Sequence, residues 1–377
     1  MVSTVSATIR GFLVPYATHF RSMGWRVEAA ANGATIDPGL AGIFDELHEL
    51  PLSRSIFDAA GVLRTLRSLS RILKPGFDIV HVHTPIAAFV TRAAVRRLPA
   101  GSRPAVVYTA HGLPFYARGG RARNAVFITA ERIAGRWTDR LVVMNDQDYD
   151  AALKYRLLPS CRLRLMPGIG VDTRWYSKSN LPADDLASPW AQFGSDPGAP
   201  MFTVVGELTL RKRPFDVVAA LGHMQHRECH LVLLGDGPER PRVEAAIRDA
   251  GVRDRVHLAG VVDDVRPTLV ASTALVLASR MEGLPRCVME ALSLEVPVVV
   301  TDARGSSDLV APDAGIIVPV GDVAALARAM DRILDDPEEA HAMAERGRMR
   351  MVERYELSIL IAQHETLYRD LLAERHR

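Results

Sequence analysis

Short apolar runs alternate with amphipathic stretches along almost all of the 377 residues of the chain. The apolar runs are rich in Val, Leu and Ile, as is typical of strands that are buried on both faces of a sheet. The stretches between them repeat their apolar residues at helical spacing, so the alternation predicts parallel sheets covered by helices. The predicted strands are Asp78–His83, Ala105–Ala110, Leu141–Asn145, Leu163–Pro167, Phe202–Gly206, His230–Gly235, Val256–Ala259, Ala274–Ala278, Val296–Thr301 and Gly315–Val318.

A segment rich in Pro, Asp, Ser and Gly, residues 179–200, separates the strands into two sets. Such a composition is typical of a linker, and the chain is too long for one ordinary core. We therefore predict an N-terminal domain over residues 1–180 and a C-terminal domain over residues 181–354. The expected fold class is α/β, with two Rossmann-like, doubly wound parallel-sheet domains that face each other across a cleft. Ligands are expected at the carboxyl ends of the strands.

The formal net charge of +2 hides an asymmetry between the two halves. Residues 1–180 contain 24 Lys and Arg against 13 Asp and Glu, whereas the remainder contains 22 against 31. The basic residues lie in stretches such as 63–74 and 116–124, with few aromatic residues among them. This pattern disfavours a single-stranded nucleic-acid platform, and among functional partners it favours an anionic membrane surface. For any one stretch taken alone, a solvated helix face is the favoured interpretation.

The composition, 48% hydrophobic and 24% charged, is that of a soluble globular protein. No apolar run approaches the roughly 20 residues of a membrane-spanning helix, and we expect no signal peptide. The three cysteines, Cys161, Cys229 and Cys287, lack metal-ligand spacing and are interpreted as reduced thiols. We expect a cytoplasmic protein, with peripheral association to the inner face of the cell membrane as a further possibility.

The most informative segment is SRMEGLPRCVMEALSLEVPVVVTD, which contains Glu282 and Glu290. A strand is followed by the turn Glu-Gly-Leu-Pro, and Pro285 suits the first turn of the helix that comes next. Free backbone amides at a helix start, beside a glycine, form an anion site. The two carboxylates would face hydroxyl groups of the same ligand, so a diphosphate flanked by sugars fits. The alternative is a solvated helix with ordinary surface glutamates.

The stretch GELTLRKRP follows the strand that ends at Gly206, and it places Arg211, Lys212 and Arg213 side by side in a loop. Three adjacent cations repel one another, so the cluster is best explained by an anionic partner such as a diphosphate. A flexible basic surface loop remains the alternative, chiefly for Arg213.

Three other patterns exclude functions. The stretch LLGDGPER resembles a glycine-rich nucleotide loop, but its GDG is too short for the Gly-x-Gly-x-x-Gly dinucleotide fingerprint. No P-loop sequence is present either, and both observations argue against a dehydrogenase and a kinase. His81 and His83 share one face of a strand, but no third ligand stands at a suitable spacing for zinc. We therefore expect no metal.

Taken together, these motifs resemble the retaining glycosyltransferases of family 4, which have the GT-B fold. Further matching motifs are TAHGL around His111 and MPGIGVD at residues 166–172, and the resemblance is densest over residues 201–320. It implies a hexosyltransferase that moves a sugar from a nucleotide sugar with retention and needs no cofactor or metal. It also implies that the helix at residues 355–377 packs back onto the N-terminal domain.

The resemblance assigns roles to individual residues. Glu290 would bind the ribose hydroxyls, and Glu282 would orient the transferred sugar. The backbone amides of Gly283 and Leu284 would receive the distal phosphate, and His111 would contact the donor sugar. Lys212 matches a lysine of the family.

Three positions depart from the family's pattern. Glu207 replaces the family's arginine, so we expect Arg211 to supply that charge. Arg213 stands where the family has a glycine, and Glu295 stands where family members often have one. At Glu295, either the backbone is left-handed at a cost of about 1 kcal/mol, or the turn differs.

Two further regions complete the predicted site. Gly206 is expected in the donor site, and main-chain groups near Gly260 and Val261 would read the base, for which uracil is the expectation. The glycine-rich first loop of the family is replaced here by residues 4–12. Thr8 and Gly11 are therefore expected on the acceptor side.

The sequence thus predicts a retaining glycosyltransferase that resembles enzymes of capsular and exopolysaccharide synthesis. Its donor would be a UDP-sugar, and its acceptor a glycan or a sugar linked to polyprenyl diphosphate. The implied mechanism is front-face substitution. A UDP-sugar 2-epimerase of the same fold and a non-catalytic protein that binds a nucleotide sugar are the alternatives.

Overall fold

A computed structural model of the protein describes residues 1–52, 58–115, 120–182 and 198–375. The chain forms two compact units, one comprising Met1–Ile169 with Leu360–Arg377 and the other comprising Gly170–Ile359. The first unit ends before residue 180 because Val171 pairs with the backbone around Glu356 in the second unit. Most of the predicted linker, and residues 116–119 of the second basic stretch, lie outside the described residues.

The first unit contains a seven-stranded sheet in the order β3-β2-β1-β4-β5-β6-β7, and all of its strand pairs are parallel. The strands are β1 (Val2–Val5), β2 (Glu28–Asn32), β3 (Glu46–Glu49), β4 (Ile79–His83), β5 (Ala105–Ala110), β6 (Arg140–Val143) and β7 (Leu163–Leu165). Its helices are α1 (Ser6–Phe12), α2 (Val14–Ser22), α3 (Ala59–Ile72), α4 (Pro85–Arg97), α5 (Arg121–Gly135) and α6 (Asp146–Lys154).

The second unit contains a six-stranded sheet in the order β10-β9-β8-β11-β12-β13, again with parallel pairs. Its strands are β8 (Met201–Val205), β9 (His230–Leu234), β10 (Val256–Gly260), β11 (Ala274–Leu277), β12 (Val298–Thr301) and β13 (Ile316–Val318). Its helices are α7 (Pro214–His223), α8 (Arg240–Ala250), α9 (Arg266–Ala271), α10 (Arg286–Ser293), α11 (Ser307–Val310), α12 (Val323–Asp335) and α13 (Pro337–Arg350).

The C-terminal helix α14 (Leu357–Arg375) follows a single π-helical turn, and from Leu360 onward it belongs to the first unit. Within that unit, the Tyr368 hydroxyl is hydrogen-bonded to Nδ1 of His81 on β4. Glu365 accepts a hydrogen bond from His19 on α2, at 3.1 Å. These contacts tie the end of the chain to the first sheet.

The ten strands predicted from the apolar runs are all present, and their ends differ from the prediction by at most two residues. Three strands of the first sheet, β1, β2 and β3, were not among the predicted strands, and β1 has only four residues. The sequence of β2, EAAAN, is rich in a helix-favouring residue, and β3, ELHE, is a charged edge strand. Neither carries the β-branched pattern by which a strand is recognised.

The first loop predicted at residues 4–12 is absent, and this expectation was wrong. Thr4 lies in β1, whereas Thr8 and Gly11 lie in helix α1, which begins directly after that strand. The buried side chains of Ile9 and Leu13 are four residues apart, so a helix buries both on one face. Gly11 weakens such a helix by only about 1 kcal/mol.

Helix α3 is amphipathic. Leu66 and Leu69 are buried on its inner face, and the cations of the same stretch are exposed to solvent. Those exposed cations are Arg64, Arg67, Arg71 and Lys74. Within the described part of the chain, no helix is long and apolar enough to cross a bilayer.

Candidate functional site

The carboxyl ends of the strands in the second unit bring together residues from three loops. Arg211 and Lys212 follow β8, Glu282 follows β11, and Arg304 follows β12. The loops are joined through their backbones, because the amide of Arg280 donates to the carbonyl of Arg211 at 2.8 Å and that of Glu282 donates to the carbonyl of Arg304 at 3.1 Å. The predicted anion site therefore has a fixed framework.

The Glu282 carboxylate is buried, with 9% of its side chain exposed, and it is surrounded by donors. Nη1 of Arg211 lies 2.6 Å from Oε2, and Nζ of Lys212 lies 3.9 Å from Oε1. The Ser279 hydroxyl donates to Oε1 at 2.7 Å. Burial opposes ionisation, but Lys212 and Arg211 outweigh it, so the pKa of Glu282 is lowered and the carboxylate is charged at neutral pH.

Lys212 reaches this cluster over Gly206, the residue that follows β8. A Cβ atom at Gly206 would lie 2.5 Å from Nζ of Lys212. Gly206 also has φ +135°, a conformation that other residues rarely adopt. Glycine at position 206 thus leaves the space that the lysine occupies.

Arg213 does not join the cluster. Its guanidinium binds Asp216 through two hydrogen bonds, of 2.5 and 2.9 Å. Its backbone is left-handed, with φ +51°, at the position where the family has glycine. Glu295 also has φ +51°, so of the two possibilities considered there the left-handed backbone is the one present. Of the three adjacent cations, only Arg211 and Lys212 face Glu282.

Glu290 lies in helix α10, which begins at Arg286, and Pro285 immediately precedes it rather than forming its first turn. The hydroxyl of Tyr176 and Nε of Arg286 both donate to Oε1 of Glu290, each at 2.7 Å. The buried Glu290 carboxylate therefore accepts two hydrogen bonds on Oε1, which offset the cost of removing that oxygen from water.

Three glycines stand side by side where β8, β9 and β10 end. Gly206, Gly235 and Gly260 all have positive φ, and the amide of Gly235 donates to the carbonyl of Gly260 at 2.6 Å. A Cβ atom on Gly235 would overlap the carbonyl oxygen of Gly206. The next residue, Val261, leaves 81% of its surface exposed. The closely spaced glycine backbones and the exposed side chain of Val261 form a surface that a planar ligand could contact.

The turn at Gly283 and Leu284 leads into α10 and is supported from β12 by Gly305. This glycine has φ +79°, and a Cβ atom there would overlap the carbonyl oxygen of Gly283. The position of the Glu-Gly-Leu-Pro turn thus depends on a glycine outside the motif.

His111 follows β5 in the first unit. Its Nε2 lies 3.0 Å from Nδ1 of His83, and its ring stacks on Phe12. Burial, with a smaller contribution from His364, lowers the pKa of His111 to about 4, so the ring is neutral at physiological pH. A neutral imidazole can donate a hydrogen bond to a hydroxyl group through its N–H, or accept one from a hydroxyl group through its other nitrogen.

His81 and His83 were considered above as a possible pair of zinc ligands. Both ring nitrogens of His81 are instead hydrogen-bonded, one to Tyr368 and the other to Thr109. Among the described residues, Glu28, Glu46 and His48 bring potential metal-ligand atoms within 4.8 Å of one another. The Glu28 carboxylate already accepts hydrogen bonds from Arg26 at 2.6 Å and His48 at 2.8 Å. We therefore interpret Glu28, Glu46 and His48 as part of an ion-pair cluster and not as a metal site.

The same cluster borders a cavity of about 980 Å³ at the amino ends of the first-unit strands. Its walls include Phe20, Trp25, Phe77 and Tyr368. None of the predicted site residues lines it, so it is separate from the candidate donor site.

Several residues of the site escaped prediction. Ser279 and Gly305 lie beside the recognised motif, and Gly235 could have been found because it follows a strand as Gly206 does. No sequence pattern pointed to Tyr176, because it lies more than 100 residues from Glu290 along the chain.

The fold and this site define a two-domain α/β enzyme of the GT-B type. The family described as Glycosyltransferase Family 4 matches residues 14–175, and the one described as Glycosyl transferases group 1 matches residues 191–350. The chain belongs to these glycosyltransferases.

Similar proteins span nearly the whole chain. EpsD of Bacillus subtilis (strain 168), which carries a provisional glycosyltransferase name, is 28% identical over 92% of this chain and 90% of its own length. The UDP-Gal:alpha-D-GlcNAc-diphosphoundecaprenol alpha-1,3-galactosyltransferase of Escherichia coli is 25% identical over 83% of this chain and 81% of its own. These relatives agree with a role in polysaccharide or glycoconjugate synthesis.

Solved structures share the fold. Sucrose-phosphate synthase from Thermosynechococcus elongatus superimposes with a TM-score of 0.84 and 21% identity, over 99% of this chain and 98% of that one. Anabaena HepE in complex with UDP-glucose gives a TM-score of 0.80 and 17% identity, over 97% and 98%. At these identities the likeness concerns the fold alone.

The support of the Glu-Gly-Leu-Pro turn by Gly305 can be tested by substitution. We expect Gly305→Ala to lower the free energy of unfolding by about 2–4 kcal/mol, since left-handed strain and overlap with Gly283 add together. Gly321→Ala is the matched control, because Gly321 has φ +83° but its Cβ would meet nothing closer than 3.6 Å. It should lose only about 1–2 kcal/mol in urea unfolding. Equal losses would show that Gly305 has no special contact.

Proposed function

We propose that this chain is a retaining glycosyltransferase that transfers a sugar from a UDP-sugar to a glycan or to a sugar linked to polyprenyl diphosphate. The observation that carries the proposal is the cluster in which Arg211 and Lys212 face the buried carboxylate of Glu282. Two cations against one carboxylate leave a net positive charge at the carboxyl end of a parallel sheet. A diphosphate supplies the charge that such a site lacks.

Glu290 supports the nucleotide part of the proposal. It lies on the helix that follows the Glu-Gly-Leu-Pro turn, and a carboxylate there can accept hydrogen bonds from ribose hydroxyls. The E. coli relative is named for UDP-Gal as its donor, which favours uracil among the bases. The exposed Val261 and the backbone at Gly260 are suited to contact a planar base.

The surroundings of Glu282 favour front-face substitution over a covalent intermediate. A carboxylate nucleophile needs an oxygen free to approach the anomeric carbon. In Glu282, Oε2 faces Arg211, and Oε1 faces Ser279 and Lys212. The leaving diphosphate would accept the proton of the attacking hydroxyl, while Arg211 and Lys212 stabilise its charge.

The acceptor is inferred from the first unit and from the relatives. The E. coli relative is named for an acceptor linked to diphosphoundecaprenol, which resides in a membrane. The exposed cations of α3 would attract an anionic membrane surface, each contributing about 1 kcal/mol. We therefore place the acceptor at an anionic membrane in bacterial polysaccharide synthesis.

Nucleotide binding is tested by thermal shift with UDP, GDP, ADP and their sugars. At 100 times its dissociation constant, a ligand should stabilise the protein by about 2.7 kcal/mol. We expect UDP and UDP-sugars to raise the melting temperature, and Glu290→Gln to remove most of the rise. Glu295→Gln, at the half-buried turn that follows the same helix, should retain it. The absence of a shift with every nucleotide would contradict the proposed function.

Charge stabilisation by Lys212 is tested by turnover. Lys212→Ala should lose about 10²–10³ in kcat, as enzymes do when one charge-stabilising donor is removed. Arg213→Gly removes the adjacent cation and suits the left-handed backbone, so its kcat should stay close to that of the wild type. An undiminished rate in Lys212→Ala would exclude the assigned role. Conversion of UDP-GlcNAc without any acceptor would instead indicate the epimerase.

Membrane association is tested by sedimentation with liposomes that contain phosphatidylglycerol. Replacing Arg64, Arg67 and Arg71 by Gln should weaken binding by about 100-fold, because three contributions of about 1 kcal/mol are lost. The control variant replaces the exposed Arg248, Arg253 and Arg328 of the second unit by Gln. Wild-type protein that ignores anionic lipid, or equal loss in both variants, would argue against this role of α3.

A further inference from the structure

Tyr176 connects a remote segment of the second unit to the candidate ribose-binding carboxylate. Its side chain is buried, and its hydroxyl lies 2.7 Å from Oε1 of Glu290. The segment that carries it precedes the first strand of its unit, whereas Glu290 lies in α10, after the fourth. The hydrogen bond therefore joins parts of the unit that are far apart in sequence.

The segment is anchored close to Tyr176. The amide of Val171 donates to the carbonyl of Tyr355 at 2.9 Å, and the amide of Leu357 donates to the carbonyl of Val171 at 3.0 Å. The amide of Thr173 donates to the Glu356 carboxylate at 3.0 Å. Because its backbone is fixed three residues earlier, the phenol is presented to Glu290 from a rigid support.

The direction of the hydrogen bond follows from the ionisation of the two groups. Burial, reinforced by the neighbouring Glu290 carboxylate, raises the pKa of Tyr176 above its ordinary value. The phenol thus keeps its proton at neutral pH and acts as donor to the carboxylate. A hydrogen bond to a charged acceptor is stronger than one between neutral groups.

Both hydrogen bonds that the described residues make to the Glu290 carboxylate end on Oε1. Arg286 supplies the second, but 38% of its side chain is exposed, so solvent screens its interaction. The buried phenol is the donor that fixes the rotamer of the carboxylate. With Oε1 occupied, Oε2 is the oxygen that can accept hydrogen bonds from a ligand.

We propose that Tyr176 is a positioning residue of the nucleotide site, which holds Glu290 through Oε1 so that Oε2 faces the ribose hydroxyls of the donor. The inference rests on the proposed function, since it assumes that Glu290 binds ribose. It adds a residue outside the recognised motif. It also assigns the two oxygens of Glu290 different tasks.

The test combines Tyr176→Phe with ligands that lack the ribose hydroxyls. Dissociation constants for UDP and for 2′,3′-dideoxyuridine 5′-diphosphate are measured by calorimetry with wild type and variant. We expect Tyr176→Phe to bind UDP about threefold to tenfold more weakly, as the loss of one net hydrogen bond predicts. Binding of the dideoxy ligand should change by less than about twofold, because it has no hydroxyl for Oε2 to accept from.

Tyr16→Phe is the matched control. It removes another buried tyrosine hydroxyl, which donates to the carbonyl of Ile169 in the first unit at 2.8 Å. This variant should bind both ligands like the wild type. It measures what the loss of a buried hydroxyl does when Glu290 is not involved.

The other outcomes separate the inference from the proposed function. If the wild type binds UDP but Tyr176→Phe binds it equally well, or loses both ligands equally, the positioning role is overturned and the nucleotide site stands. If wild type binds neither UDP, GDP nor ADP, the proposed function fails, and the inference fails with it. If GDP or ADP is the ligand bound, the same comparison is made with its 2′,3′-dideoxy form and is judged by the same ratio.

Discussion

Parallel strand pairing is the constraint on which the rest of this structure depends. Every strand pair in both sheets is parallel, so each connection must cross over and return to the same edge. The loops after β8, β11 and β12 consequently meet at one edge of the second sheet, although they come from distant parts of the sequence. Arg211, Glu282 and Arg304 become neighbours for this reason alone.

Once these loops meet, the burial of Glu282 determines how they fit together. A buried carboxylate is strongly unfavourable unless cations and hydrogen-bond donors compensate it. Arg211, Lys212 and Ser279 provide that compensation, and they come from the loops after β8 and β11. The cluster therefore both closes the end of the sheet and leaves an excess of positive charge there. Arg211 and Lys212 thus both stabilise the buried carboxylate and provide positive charge for a ligand.

Some positions preserve a backbone conformation without the residue that favours it. Arg213 and Glu295 are left-handed, a conformation that favours glycine, and each makes ion pairs. Arg213 pairs with Asp216, and Glu295 pairs with Lys178 and Arg348. Partly exposed pairs contribute little, so they offset only part of the strain. These turns show that the fold fixes the backbone more strictly than the side chain.

The sequence by itself determined ten of the thirteen strands in the described residues, the two-domain α/β class and the motif residues, because buried parallel strands and their following loops leave local patterns. Thr8 and Gly11 were placed in a loop because local sequence could not reveal that Ile9 and Leu13 pack on one helical face. The strands β2 and β3 were missed since their pairing depends on neighbours rather than on propensity. Only the tertiary structure decided that Arg211 and Lys212, but not Arg213, face Glu282, and that Tyr176 holds Glu290. Such contacts join residues that no spacing along the chain relates, so packing alone can specify them.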